Sequence, residues 1–205
     1  MNLWNRYVLP HLIGAACGSK PIMRQRAKII PKARGVVVEF GFGSGTNLPF
    51  YDAGAVSRIL AVEPSREMLA VGRTGRRTDI PVEEIITGAE ATGLADAVAD
   101  TVVIAYALCT IPDPAAALAE ARRLLKPGGA VLFVEHGLAP DADVARAQKL
   151  IEPLWRRIAG GCRLCRDPVA LIGDAGFVCE TVETMYLPST PRFAGYNSWG
   201  TARLP

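Results

Sequence analysis

Three acids and a run of glycines stand where a ligand site would need them. Glu39-Phe40-Gly41-Phe42-Gly43-Ser44-Gly45 sets a carboxylate ahead of three alternating glycines. Glycine lets a chain turn sharply and lets a ligand approach bare backbone. A carboxylate beside such a turn repels a pyrophosphate but attracts an ammonium or sulfonium group. The dinucleotide fingerprint G-x-G-x-x-G needs a glycine where this chain has Thr46, which argues against a nicotinamide cofactor. Glu63 comes next, and an acid at the carboxyl end of a second strand can accept both ribose hydroxyls of an adenosine. It could equally cap the following helix. Gly88-Ala89-Glu90 offers a backbone amide and an acid able to read an adenine edge.

A second group of residues could act on whatever that ligand meets. His136 has the residue type of a general base, with an ordinary pKa near ~6.5, although a structural hydrogen-bonding role is the commoner use. Cys109 is either a reactive thiol or a small buried hydrophobe. Cys162-Arg163-Leu164-Cys165 has C-x-x-C spacing. Zinc would need two more ligands, and the chain has no second such pair and only His11 and His136, so no metal is expected.

These residues need a scaffold. Short apolar runs at 36–39, 58–63, 100–107 and 130–135, with a weaker one at 82–86, read as buried strands. Helical patterns at 65–76 and 114–126 lie between them. Strands alternating with helices imply βαβ units and a parallel sheet. Beyond residue 137 the pattern predicts helices over 144–158 and 168–175. Two strands, 177–187 and 196–203, follow as a closing antiparallel hairpin with a long loop at 188–194.

The chain has 205 residues, half of them apolar and 21% charged, which excludes bulk disorder and fits a single domain over 1–205. A net charge of +3 is too weak to imply nucleic acid, and aromatics at 7% are too few for a base-stacking platform. No eighteen-residue apolar run reads as a membrane span, and the first residues lack the basic start of a signal peptide. Five cysteines, an odd number, then suggest reduced thiols and a cytoplasmic location. Lys20, Arg24, Arg26, Lys28, Lys32 and Arg34 form a basic stretch without an acid, read first as a solvated helix face. Joined to Trp4, Tyr7, Leu9, Leu12 and Ile13, residues 1–34 would make a helical lid over an apolar substrate, or a peripheral contact with an anionic membrane.

Together the glycine run, Val62-Glu63-Pro64-Ser65, Gly88-Ala89-Glu90 and Leu125-Lys126-Pro127-Gly128-Gly129 resemble the class I S-adenosylmethionine-dependent methyltransferases. That resemblance covers most of residues 35–136. It implies an α/β fold, a doubly wound seven-stranded sheet of order 3-2-1-4-5-7-6, mostly parallel with the last strand antiparallel. It implies S-adenosyl-L-methionine as cofactor, with Glu39 near its ammonium group and Gly41, Gly43, Gly45 and Asn47 around its methionine part. Glu63 and Pro64 would meet the ribose, Met68 the adenosine, Ala89 and Glu90 the adenine, and Ala105 the methionine end. Residues 137–205 would form the substrate side. Asn47-Leu48-Pro49-Phe50-Tyr51, Ala107-Leu108-Cys109-Thr110-Ile111, Phe133-Val134-Glu135-His136 and Pro153-Leu154-Trp155 through Gly161-Cys162 narrow it. They resemble a small-molecule branch that includes the alkyl-thiol methyltransferases and, more distantly, the quinone-biosynthesis enzymes. The branch implies a small apolar methyl acceptor, a thiol first and a phenol, quinol or lipid second, with His136, Cys109 and Cys162 as catalytic candidates. A non-catalytic cofactor-binding protein stands as the reading from a different class. No nucleic-acid partner is implied, since Ala105-Tyr106-Ala107-Leu108 lacks the D/N-P-P-Y of base-amine methyltransferases.

Overall fold

The apolar runs pair into one sheet. In the computed structural model, which describes residues 17–75 and 77–205, the strands are β1 (Gly35–Phe40), β2 (Val56–Val62), β3 (Val82–Ile85), β4 (Ala99–Ala105), β5 (Leu125–His136), β6 (Val178–Tyr186) and β7 (Tyr196–Arg203). Their order is β3-β2-β1-β4-β5-β7-β6, as the resemblance implies. Pairs from β3 to β5 are parallel, and β7 runs antiparallel to both β5 and β6. The order reverses at β1 and β4, so the carboxyl ends of those strands splay apart and leave a crevice.

Alternation along the strands separates two apolar layers. Val38, Leu60, Val102 and Phe133 face one side with Leu118 and Ile172. Val37, Ile59, Val103 and Leu132 face the other with Ile29, Leu69 and Trp199. Both faces of a parallel sheet need such cover, because its βαβ crossovers place helices on each side. The helices are α1 (Lys20–Ile29), α2 (Arg66–Arg73), α3 (Pro114–Leu124), α4 (Ala142–Ile158), α5 (Pro168–Asp174) and α6 (Arg192–Gly195). Capping side chains start three of them: Ser65 accepts from the Met68 N–H, Asp113 from Ala116, and Asp167 from Val169 and Ala170.

The structure differs from the sequence reading at three places. Helix α3 ends at Leu124, and the Pro127-Gly128 turn is looped out as an irregularity of β5 between the Ala99–Leu125 and Thr101–Ala130 pairs. Helix α2 stops at Arg73, beside Gly72 and Gly75, and Arg76 lies outside the described residues. The loop at 188–194 gives way to the one-turn helix α6. Trp4, Tyr7, Leu9, Leu12 and Ile13, with most of the expected lid, lie outside the described residues as well. Among the described residues no helix is long and apolar enough to cross a membrane.

One contact ties the fold to the crevice. Gly72 of α2 lies so close to the glycine run that a β-carbon there would stand 2.3 Å from the Ser44 carbonyl oxygen. Overpacking of this kind costs about 1–3 kcal/mol. Gly72→Ala should therefore lower the melting temperature by roughly 2–12 °C. Gly75→Ala, where a β-carbon meets nothing within 4 Å, should leave it unchanged or raise it. Equal melting temperatures for both variants in a thermal scan would refute the contact.

Candidate active site

The glycine run adopts backbone that side chains resist: Gly41, Gly43 and Gly45 have φ of 69°, 59° and 78°. It floors a cavity of about 590 Å³ at the carboxyl ends of β1, β2 and β4. Of the residues read from the sequence, Gly41, Gly43, Glu63, Pro64, Met68, Ala89, Glu90 and Ala105 line it. Glu63 Oε2 accepts from the Gly43 N–H and Oε1 from the Ser65 N–H, each at 2.9 Å. Each carboxylate oxygen keeps a further lone pair, so Glu63 can fix the loop and still accept ribose hydroxyls. Burial pushes its carboxyl up, against those two donated hydrogen bonds.

Glu39, Gly45 and Asn47 are not among the lining residues; they lie beneath. Glu39 is 1% exposed, and its two oxygens accept from Tyr51 Oη at 2.6 Å and Asn47 Nδ2 at 2.9 Å. Asn47 Oδ1 in turn accepts from Arg26 Nη1 at 2.7 Å. Glu39 thus anchors the turn that follows the glycine loop. Burial outweighs the hydrogen bonds and pushes its carboxyl up to about 7.

Arg26 is the residue that the sequence reading passed over as one of a solvated basic run. It is 3% exposed, lines the cavity, and holds its guanidinium 5.0 Å from the centre of the Tyr106 ring. Its Nε has no partner. The available signal was helical phase, because Arg26 falls three and four residues before the apolar Ile29 and Ile30. Tyr106 itself, just past β4, takes φ of 57°, a strained value for a bulky residue. Its hydroxyl donates to Asn197 Oδ1 at 2.6 Å, and its backbone N–H to the Val134 carbonyl at 2.8 Å.

Behind that wall the fold gathers His136, Cys109 and Cys162. Cys162 Sγ lies 3.2 Å from His136 Nε2. A hydrogen bond from Cys109, joined by the imidazole, holds the Cys162 thiol well below its usual range, and the same bond with burial pushes Cys109 up. Burial opposes charge on His136, but the neighbouring sulfur outweighs it and raises the ring. Glu135 is also buried here. Its Oε1 accepts from the N–H groups of Ala107 at 2.6 Å and Leu108 at 3.0 Å, while Oε2 has no partner. Burial lifts this carboxyl to about 7 against those bonds. Cys165 stands apart from the cluster, its backbone N–H donating to Glu152 at 2.7 Å, so the C-x-x-C pair does not act as a unit.

A crevice at the strand ends, a bare-backbone loop, an acid at the end of β2 and a buried guanidinium in the wall together fit a charged nucleoside ligand. A methyltransferase-domain family model matches residues 38–133. Thiol S-methyltransferase TMT1B of Rattus norvegicus is 33% identical over 78% of this chain and 68% of its own length. The ubiquinone/menaquinone biosynthesis C-methyltransferase UbiE of Acidiphilium cryptum is 32% identical over 69% of this chain and 57% of its own. A solved S-adenosylmethionine-dependent methyltransferase from Mesorhizobium loti superposes with a TM-score of 0.62 at 22% identity, covering 94% of this chain and 99% of that one. The chain belongs to the class I S-adenosylmethionine-dependent methyltransferases. Within them it falls in the small-molecule branch that includes the thiol S-methyltransferases, and S-adenosylmethionine is its cofactor.

Two outcomes test the site. Glu63→Ala should weaken S-adenosylmethionine binding by more than about tenfold in calorimetry, because hydrogen bonds to a charged group are lost. Unchanged affinity would remove Glu63 from the ribose. For Glu39, the folded pKa lies above the unfolded one, so the folded state binds the extra proton between about pH 4.5 and 7. Stability is then greatest below that window and falls as pH rises through it, by on the order of 3 kcal/mol for this group. Glu39→Gln should lose less stability than the parent between pH 5 and 8 in urea unfolding. Parallel pH profiles would show that Glu39 is already ionised when buried.

Proposed function

We propose that this enzyme transfers the methyl group of S-adenosylmethionine to the sulfur of a small apolar thiol. When bound, the cofactor supplies an electrophilic methyl on a sulfonium. The chain's work is to align an acceptor in line with that methyl and to exclude water from it. Glu63 holds the ribose and Met68, Ala89 and Glu90 border the adenosine, while Ala105 and Tyr106 meet the methionine end.

The observation that carries the thiol reading is Arg26, a buried guanidinium in the wall beside Tyr106. Its field favours thiolate over thiol, and a thiol with an ordinary pKa near ~8.5 needs little help to ionise. A phenol oxygen or a quinol carbon attacks only after a ring hydroxyl of ordinary pKa near ~10 ionises, which asks more of a protein base. The kinship with thiol S-methyltransferases supports the same choice. Kinship with the UbiE enzymes makes phenols and quinols the comparison to run.

Transfer of a labelled methyl group to hydrogen sulfide, alkyl and aryl thiols, catechols and quinols decides it. Methylation confined to thiols, and reduced at least about tenfold by Arg26→Ala, is the expected result. Methylation confined to phenols or quinols would replace the proposal with O- or C-methylation. No transfer to any acceptor with cofactor bound would leave a binding protein.

A further inference from the structure

Cys109, His136 and Cys162 come from three separate elements: the loop after β4, the end of β5, and the turn after α4. One ligand atom from each lies within 4.8 Å of the other two. The backbone sets this up without help from the sulfurs. The Arg163 N–H donates to the Cys109 carbonyl at 2.9 Å, and Arg166 Nη1 donates to the carbonyls of Leu108 and Ile111. Around a tetrahedral zinc ion, bonds of ~2.3 Å to sulfur and ~2.0 Å to nitrogen place ligand atoms roughly 3.5–3.8 Å apart. The 3.2 Å between Cys162 Sγ and His136 Nε2 is within a few tenths of an ångström of that spacing. His136 Nδ1 is buried with no partner, so the ring's bonding is not satisfied inside the chain.

We propose that Cys109, His136 and Cys162 form a zinc site with its fourth position open to the acceptor. Two cysteines and one histidine with a vacant position is the ligand set of a catalytic rather than a structural zinc. Cys109 and Cys162 each adjoin a wall residue in sequence, Thr110 and Gly161, although none of the three cluster residues itself lines the cavity. Two thiolates cancel the charge of Zn²⁺, and a third thiolate gives the site one negative charge opposite a sulfonium. The acceptor thiol loses its proton to solvent on coordination. Its sulfur then forms a bond to the methyl carbon as that carbon's bond to the sulfonium sulfur breaks. The products are a neutral thioether, a poorer zinc ligand that leaves, and S-adenosylhomocysteine. This role for the ion rests on the thiol reading above; the binding of zinc does not.

The test is zinc titration of the chelator-treated full chain, followed by mass-spectrometric metal counting and by cobalt substitution. One equivalent of zinc, and thiolate-to-cobalt charge-transfer bands on Co²⁺ addition, are expected. Cys109→Ser and Cys162→Ser should each weaken zinc binding by at least about 100-fold, more than an outer-shell loss costs. Cys165→Ser, outside the cluster, should bind as the parent does, and circular dichroism confirms that each variant is folded. Absence of tight zinc binding, or binding lost in Cys165→Ser and kept in the other two, would overturn the site. Thiol methylation by metal-free protein would discard the ion's role and keep the thiol reading. Zinc held by the cluster in a protein that methylates no thiol would keep the site and discard its role.

Discussion

The chain of hydrogen bonds from Arg26 through Asn47 to Glu39, closed by Tyr51, is what the site hangs on. It joins helix α1, strand β1 and the turn after the glycine run through one buried carboxyl. Left-handed glycines give the loop its shape but no rigidity, since glycine has the most conformational freedom to lose. The carboxyl fixes the turn into which the loop runs, because leaving a buried donor without an acceptor costs about 1–3 kcal/mol.

The same solution recurs along the edge of the sheet. Glu63 at the end of β2 accepts from Gly43 and Ser65, and Glu135 near the end of β5 accepts from Ala107 and Leu108. Where parallel strands end, the turning backbone leaves N–H groups without ladder partners, and a carboxylate can take two of them at once. The arrangement has a thermodynamic cost. Burial pushes all three carboxyls above their ordinary range, so the edge that binds the ligand is also less stable at neutral pH than in mild acid. A strained Tyr106 at the same edge adds to that, in keeping with strain collecting at functional sites.

The wall beside Tyr106 is organised differently. Here the groups are soft or cationic: Cys17 and Arg26 in the wall, with Cys109, Cys162 and His136 behind it. Arg166 and the Arg163 N–H tie the two thiol-bearing loops together through main-chain carbonyls. The thiol-bearing loops are thus held together by contacts that do not involve the sulfurs themselves.

Much of this was legible in the residues. Apolar runs of strand length and the helices between them are local signals, and local sterics and hydrogen bonding enforce them. The spacing of Glu39, the glycines and Glu63 marked the cofactor edge because a parallel sheet brings successive strand ends to one side. What the residues could not show was depth and partnership. Glu39 was expected beside the ligand; its carboxyl is buried against Tyr51 and Asn47 and does not line the cavity, since only packing decides which side of a loop a carboxyl occupies. Arg26 sat unremarked among five other basic residues until helix α1 turned it inward against Tyr106. Cys162 stood with Cys109 and His136 only as candidates implied by the resemblance; that three residues so distant in sequence come within 4.8 Å of one another is decided by the fold. Local geometry is written in neighbouring residues; contacts across long loops exist only once the sheet has closed the distance.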